Sequence, residues 1–285
     1  MKILFGPYGC LFSGLGFSNN PFDVRDGYWE AVESIARDYL IAGAGLPTIN
    51  AFYLRSLLGC GAEGLYKELF RLNLEALLRA LEGRDLCVAV CLGPAEDCYQ
   101  PDRAPNVAGA SLFARRQYQL CLEVLREFGV SNVVFLHETI GTCREALGIS
   151  LSARALNIPL IVSFVVDRGG LLLDGSTVEG AISLIDRETL GFVEGFSLNC
   201  CSPFAFEKVA ASFKDPSLLQ RLIGFYPNSW DGNPACYEQG ETPIEPDKNH
   251  SLELIAEIGR RYHLRFIGGC CGFGYGDIRR LCLIR

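Results

Sequence analysis

Short apolar runs alternate with longer amphipathic stretches along the whole chain. Eight of the runs read as strands: Ile3–Phe5, Leu46–Asn50, Leu86–Leu92, Val133–His137, Leu160–Val165, Gly195–Asn199, Leu222–Tyr226 and Leu264–Ile267. Several are nearly continuous in Val, Ile, Leu and Phe, the pattern of parallel strands buried on both faces. Between them apolar residues recur every three to four positions. Trp29, Val32, Ile35 or Ala36, and Tyr39 form one such stripe. Cys121, Val124, Leu125 and Phe128 form a second, and Leu254, Ile255, Ile258 and Tyr262 a third. Each predicts a helix with one buried face. Phe70–Leu81 and Cys143–Leu156 add further helices, while Phe204–Leu222 mixes both periods. Strands and helices in this alternation predict a single (β/α)8 barrel of the TIM type over residues 1–285, with an open doubly wound sheet as the alternative. The longest stretch without periodicity is Pro227–Asn249. It follows the seventh strand, which places it on the C-terminal rim, where active sites of such barrels lie.

Composition narrows the function classes. Of 285 residues, 49% are hydrophobic and 21% charged, a globular balance that excludes a disordered or fibrous chain. Apolar runs such as Pro159–Val166 fall far short of the ~20 residues needed to cross a bilayer, and the first residues lack a signal-peptide core. A soluble, cytoplasmic protein with no membrane partner is expected. The net charge is −7, with no basic block to neutralise phosphates, so no nucleic-acid partner is expected either.

The 13 cysteines change the picture most. Their number is odd and the chain is long, which argues against a secreted disulfide scaffold. Two clusters stand out. Gly268-Gly269-Cys270-Cys271-Gly272 follows the eighth strand and Asn199-Cys200-Cys201 ends the sixth, so both fall on one rim of the predicted barrel. Neighbouring residues on a strand point to opposite faces. Two adjacent thiolates therefore share one ion only if the backbone leaves strand geometry, which the glycines permit. Cys200, Cys270 and Cys271 would then converge on Zn²⁺, with a fourth position open for substrate. Simple packing of the vicinal pair, or a phosphate-binding glycine loop, is the competing reading, and Cys201 competes with Cys200. Cys87, Cys91, Cys121 and Cys143 lie in apolar patterns and read as core. His137 ends the fourth strand and reads as a core histidine. Glu138 beside it reads either as a carboxylate that holds a substrate ammonium at the mouth, or as a helix-start acid.

At these residues the sequence resembles the homocysteine S-methyltransferase family, whose members are zinc-dependent (β/α)8 barrels. The Gly-Gly-Cys-Cys-Gly motif and Leu198-Asn199-Cys200 match the family's three zinc ligands, and Glu138-Thr139 its strand-four pair. Weaker echoes are Asn50-Ala51-Phe52, Gly93-Pro94, Ser163-Phe164, Asp174-Gly175 and Tyr226-Pro227-Asn228. The resemblance implies methyl transfer to the thiol of homocysteine, forming methionine, from an onium donor of the S-methylmethionine or S-adenosylmethionine class. It implies small-molecule partners only, Glu138 and Asn199 as catalytic residues, Glu138 and Asn50 as substrate-binding residues, and a place in methionine biosynthesis. One departure is in the first strand, where Phe5 stands in line with the family's amine-binding aspartate. That loss motivates one alternative, alkyl transfer to a different thiol; a zinc- or thiol-binding homologue without turnover is a second.

Overall fold

The computed structural model describes residues 1–5, 27–235, 242 and 244–285. Eight parallel strands, β1 (Lys2–Ile3), β2 (Thr48–Asn50), β3 (Val88–Leu92), β4 (Val133–Ile140), β5 (Leu160–Phe164), β6 (Gly195–Asn199), β7 (Leu222–Tyr226) and β8 (Phe266–Ile267), lie in the order β1-β8-β7-β6-β5-β4-β3-β2. A parallel bridge between Leu4 and Leu46 closes the ring, with the Phe5 amide donating to the Leu46 carbonyl at 3.1 Å. The architecture is the (β/α)8 barrel that the strand–helix alternation predicts. Strand β4 runs three residues further than its apolar run: its ladder with β5 shifts register across Glu138 and Thr139 and resumes at Ile140.

Helices α1 (Tyr28–Ala42), α2 (Arg55–Gly59), α3 (Glu63–Leu81), α4 (Val107–Glu127), α5 (Cys143–Leu156), α6 (Val178–Thr189), α7 (Ala205–Ser212), α8 (Pro216–Leu219), α9 (Lys248–Arg261) and α10 (Tyr275–Ile284) connect and surround the strands. Helix α1 buries the predicted Val32, Ile35, Ala36 and Tyr39 stripe. The mixed segment after β6 resolves into α7, α8 and the start of β7. Helix α6 has no counterpart among the predicted stripes. Thr142, Asn106 and Thr177 cap α5, α4 and α6 by accepting backbone N–H bonds, which satisfies donors that each helix start leaves free. No helix among the described residues is long and apolar enough to cross a membrane.

Strand alternation sorts the core into two shells. Leu4, Leu46, Ala89, Cys91, Leu136, Ile161, Ile223, Tyr226 and Phe266 fill the barrel interior. Phe135, Val162, Phe196, Leu198, Phe225 and Ile267 face the helices. Room inside is tight: a side-chain carbon at Gly224 would lie 2.1 Å from the Phe266 ring. The ladder between β6 and β7 shifts register after Phe196, which resets the phase of β7. Ile223 and Tyr226 both point inward as a result, although their odd spacing on a regular strand would separate them.

His137 faces outward into the helix layer, fully buried, edge-on to Tyr118 at 5.5 Å. It is the core histidine that the sequence predicts. Among the described residues neither ring nitrogen has a hydrogen-bond partner, and burial pushes its pKa down to about 3. The unfolded chain, with an ordinary imidazole, takes up the proton first. Stability is therefore full above about pH 6.5 and is lost on acidification, by about 1.4 kcal/mol per pH unit. Urea unfolding of the metal-free protein and of His137→Gln between about pH 6.5 and pH 5 should show the gap between the two closing in the variant's favour. A gap independent of pH would place His137 in a solvated environment.

Candidate metal centre

The centre is assembled where three strands depart from regular geometry at their C-terminal ends. On β6, Phe196 and Leu198 face the helices, so alternation would send Cys200 outward as well. Instead Cys200 has φ +49°, in the left-handed region that non-glycine residues rarely adopt. The turn aims Cys200 at the mouth and drops Cys201, fully buried, into the outer core. Burial raises the Cys201 thiol to a pKa of about 12, as for an inert packing cysteine.

Asn199 holds this turn. Its Oδ1 accepts from the Thr139 amide at 2.9 Å and the Ser163 hydroxyl at 2.7 Å, and its Nδ2 donates to Thr139 Oγ1 at 2.8 Å. One buried amide thus ties the ends of β4, β5 and β6. Thr139 is itself left-handed, at φ +61°. Backbone in this region costs on the order of 1–3 kcal/mol per residue and persists only where neighbours over-determine it.

The opposite side of the centre comes from the loop after β8. Cys270 N donates to the Pro227 carbonyl at 2.7 Å, Ser229 N to the Cys271 carbonyl at 2.9 Å, and Asn228 N to the Cys201 carbonyl at 2.8 Å. The segment after β7 therefore braces both cysteine clusters. Gly272, at φ +82°, is required twice over, since a side-chain carbon there would also lie 2.0 Å from Ser229 Oγ.

The result brings together the three cysteines singled out in the sequence. The Sγ atoms of Cys200, Cys270 and Cys271 all lie within 4.8 Å of one another, and those of Cys200 and Cys270 are 2.6 Å apart. Three convergent thiols are the soft donor set that zinc takes; thiolates sharing one tetrahedral zinc stand about 3.8 Å apart, from Zn–S bonds of about 2.3 Å, so the Cys200–Cys270 pair would open by about 1 Å to hold it. Hydrogen bonds from the Cys270 and Cys271 thiols hold the Cys200 thiol below the usual cysteine range, against its burial, and Thr139 adds to the effect. The same contacts push Cys270 up. The side-chain amide of Asn228, 1% exposed, has no hydrogen-bond partner among the described residues.

Glu138 points into the mouth from β4. Burial pushes its carboxyl up to about 7, while the facing Tyr226 hydroxyl and Cys91 thiol work in the opposite sense. Tyr226 in turn feels both Glu138 and Cys270. Asn50 sits at the end of β2, where its Oδ1 accepts from the Phe52 amide at 3.2 Å and organises the following turn. Phe5 does not line this mouth. It is 2% exposed and packs on Tyr39 at 5.3 Å in the helix-facing core. An acid there would be buried among rings. Residues 6–10, the remainder of the first-strand comparison, lie outside the described residues, as does Cys236.

Two residues at the mouth were not visible in the sequence pattern. Tyr53 and Tyr99, on the loops after β2 and β3, both lie within electrostatic reach of all three cysteines. Cys98 also reaches Cys200. Their only signal is position, a few residues past the C-terminal end of a barrel strand. Cys91, read as core, is indeed buried, but inside the barrel beside Glu138.

A homocysteine S-methyltransferase family model matches residues 12–284. No curated protein sequence matches the chain. Among solved structures, the metallated form of the homocysteine methyltransferase MmuM from Escherichia coli is 18% identical, with a TM-score of 0.72. Its oxidized form is 20% identical, with a TM-score of 0.73. Each alignment covers 100% of this chain and 96% of that one.

Removing a ligand should cost more than removing the groups behind it, which typically lowers metal affinity 10- to 100-fold. Cys200→Ser, Cys270→Ser and Cys271→Ser should each weaken zinc binding more than about 100-fold in competition with a chromogenic chelator. Cys201→Ser should bind like the wild type. Loss in Cys201→Ser with retention in Cys200→Ser would reverse the assignment of the turn.

Proposed function

The chain belongs to the homocysteine S-methyltransferase family, and we propose that it is a zinc-dependent enzyme that methylates the thiol of homocysteine from an onium donor, forming methionine. The observation that carries this reading is the convergence of Cys200, Cys270 and Cys271 at the barrel mouth, in a family of thiol methyltransferases. The three cysteines would hold the ion. When bound, zinc is a Lewis acid that keeps a coordinated thiol deprotonated at neutral pH.

The protein residues divide the remaining work. Glu138 meets the substrate ammonium. Its carboxyl is only partly ionised near pH 7 in the free enzyme, and a cation beside it favours the anion. Asn199 is a positioning residue, since both ends of its amide are engaged by Thr139 and Ser163. Asn50 shapes the β2 rim on which substrate rests. Tyr53 and Tyr99 screen the thiols from bulk water. The acceptor thiolate then uses a sulfur lone pair to form the new S–C bond. The donor's C–S⁺ or C–N⁺ bond breaks, and its electron pair stays on the donor heteroatom, which becomes neutral.

Glu138→Gln should weaken homocysteine by roughly 10- to 150-fold, the range for a hydrogen bond to a charged group. It should barely affect 4-mercaptobutyrate, which lacks the amine. In the wild type the preference for homocysteine over this analogue should grow as pH rises through about 7, because Glu138 ionises there. Steady-state methyl transfer with both acceptors, across donors, checks this. Equal losses for the two thiols would remove Glu138 from the amine site, and no transfer from any onium donor with zinc and thiol bound would overturn the enzymatic reading.

A further inference from the structure

Asn199 fastens the left-handed turn at Cys200 on its near side. A second fastening stands on the far side. Ser202, just past the cysteine pair, is 2% exposed. Its hydroxyl donates to Asp231 Oδ1 at 2.7 Å and accepts from the Phe204 amide at 3.1 Å. A hydroxyl has one hydrogen, and here it is committed to Asp231. Asp231 lies on the segment after β7. Its Oδ2 meets Arg168 Nη2, on the loop after β5, at 2.9 Å. Its backbone is held as well, by paired bonds with Ile244 at 2.8 and 3.0 Å. One carboxylate thus joins the rims of β5, β6 and β7.

The position of Asp231 gives this junction its importance. Pro227, Asn228 and Ser229 form a strut bonded through the backbone to Cys270, Cys201 and Cys271 in turn. Asp231 ends that strut and adds a side-chain anchor to it. The strut therefore meets the β6 turn at two points, the Cys201 carbonyl and the Ser202 hydroxyl, and the β8 loop between them. A strut bonded to both halves of the donor set governs how far apart their sulfurs stand. The two arms of Asp231 are unequal. Arg168 is 53% exposed in its side chain, and an exposed ion pair contributes little. The Ser202 bond joins a buried hydroxyl to a carboxylate 15% exposed, so it is charge-assisted and costly to lose.

We propose that Asp231 is a positioning residue of the metal centre, acting through Ser202 to lock the exit of the Cys200–Cys201 turn onto the strut that braces Cys270 and Cys271. The proposal rests on the three-cysteine centre of the proposed function. It adds a residue outside the ligand set on which metal affinity depends. Asn199 and Ser202 then hold the turn from its two ends, the first through β4 and β5 and the second through the β7 segment. A turn held at both ends keeps Cys200 facing its partners while the fourth position of the ion changes occupant. Arg168 orients the carboxylate and contributes little beyond that.

The test uses the full chain and reads the metal rather than turnover. Zinc affinity is measured in competition with a chromogenic chelator, and the visible spectrum is recorded after loading with cobalt. Asp231→Ala should weaken zinc about 10- to 100-fold, the range for groups that orient metal ligands. Asp231→Asn keeps an oxygen for the Ser202 hydroxyl and should recover most of that loss. Ser202→Ala should match Asp231→Ala, and the double variant should lose no more than either alone, since both remove one bond. Arg168→Met should stay within about threefold of the wild type. Cobalt bound to Asp231→Ala or Ser202→Ala should show shifted d–d bands with thiolate-to-metal bands of undiminished intensity, whereas Asp231→Asn should keep the wild-type spectrum. Urea unfolding of the metal-free proteins separates this from a general loss of stability, which would lower the midpoint and leave the cobalt spectrum alone. If Asp231→Ala does not fold, Ser202→Ala decides. Unchanged zinc affinity and cobalt spectrum in Ser202→Ala, additive losses in the double variant, or a loss in Arg168→Met as large as in Ser202→Ala would overturn the proposal. Zinc affinity that follows Asp231 and Ser202 in a protein that transfers no methyl group would sustain it and overturn the methyl-transfer reading alone.

Discussion

The left-handed turn at Cys200 is the constraint on which the rest of the site depends. Strand β6 delivers Leu198, Asn199 and Cys200 with alternating faces, and without a reversal Cys200 would be buried against the helices. The turn is unfavourable for a residue with a side chain, so something must hold it. Asn199 does so by joining Thr139 on β4 and Ser163 on β5 to the end of β6. The same contact supports the left-handed Thr139, whose hydroxyl stands beside the Cys200 sulfur. A buried polar bridge of this kind is effective because each of its atoms would be costly to leave unpaired. The centre can therefore hold its geometry on a rigid barrel end, with mobile substrate groups left to meet Glu138 and the loops.

Electrostatics divides the mouth in a way that suits transfer of a positively charged methyl group to a thiolate. The thiols lie together at one place, with Cys200 held low by its neighbours. Glu138, beside Tyr226, is raised by burial to about 7. Keeping these charges apart matters, since like charges in one low-dielectric site would suppress each other's ionisation.

Much of this was legible in the sequence. Eight apolar runs give the barrel because fully buried parallel strands leave a continuous signal, and β6 and β7 match their runs residue for residue. The cysteine clusters could be placed on one rim because strand ends are easy to locate. Three features were not legible, and each is a break in periodicity. The reversal at Cys200 depends on Asn199 finding partners some 36 to 60 residues away. The register shift in β7 that turns Tyr226 inward depends on the neighbouring strand. The facing of Phe5 is set by strand alternation, which motif alignment does not report: Ile3 and Phe5 share the helix-facing side, with Leu4 between them pointing in.

X-ray absorption at the zinc edge tests the central claim most directly, because it counts the sulfurs on the ion. The zinc-loaded protein should show three sulfurs at about 2.3 Å and one lighter atom. Saturating homocysteine should convert this to four sulfurs, and methionine should leave it unchanged. Four sulfurs before any thiol is added, or two with no response to homocysteine, would contradict a three-cysteine centre with a position open to the acceptor.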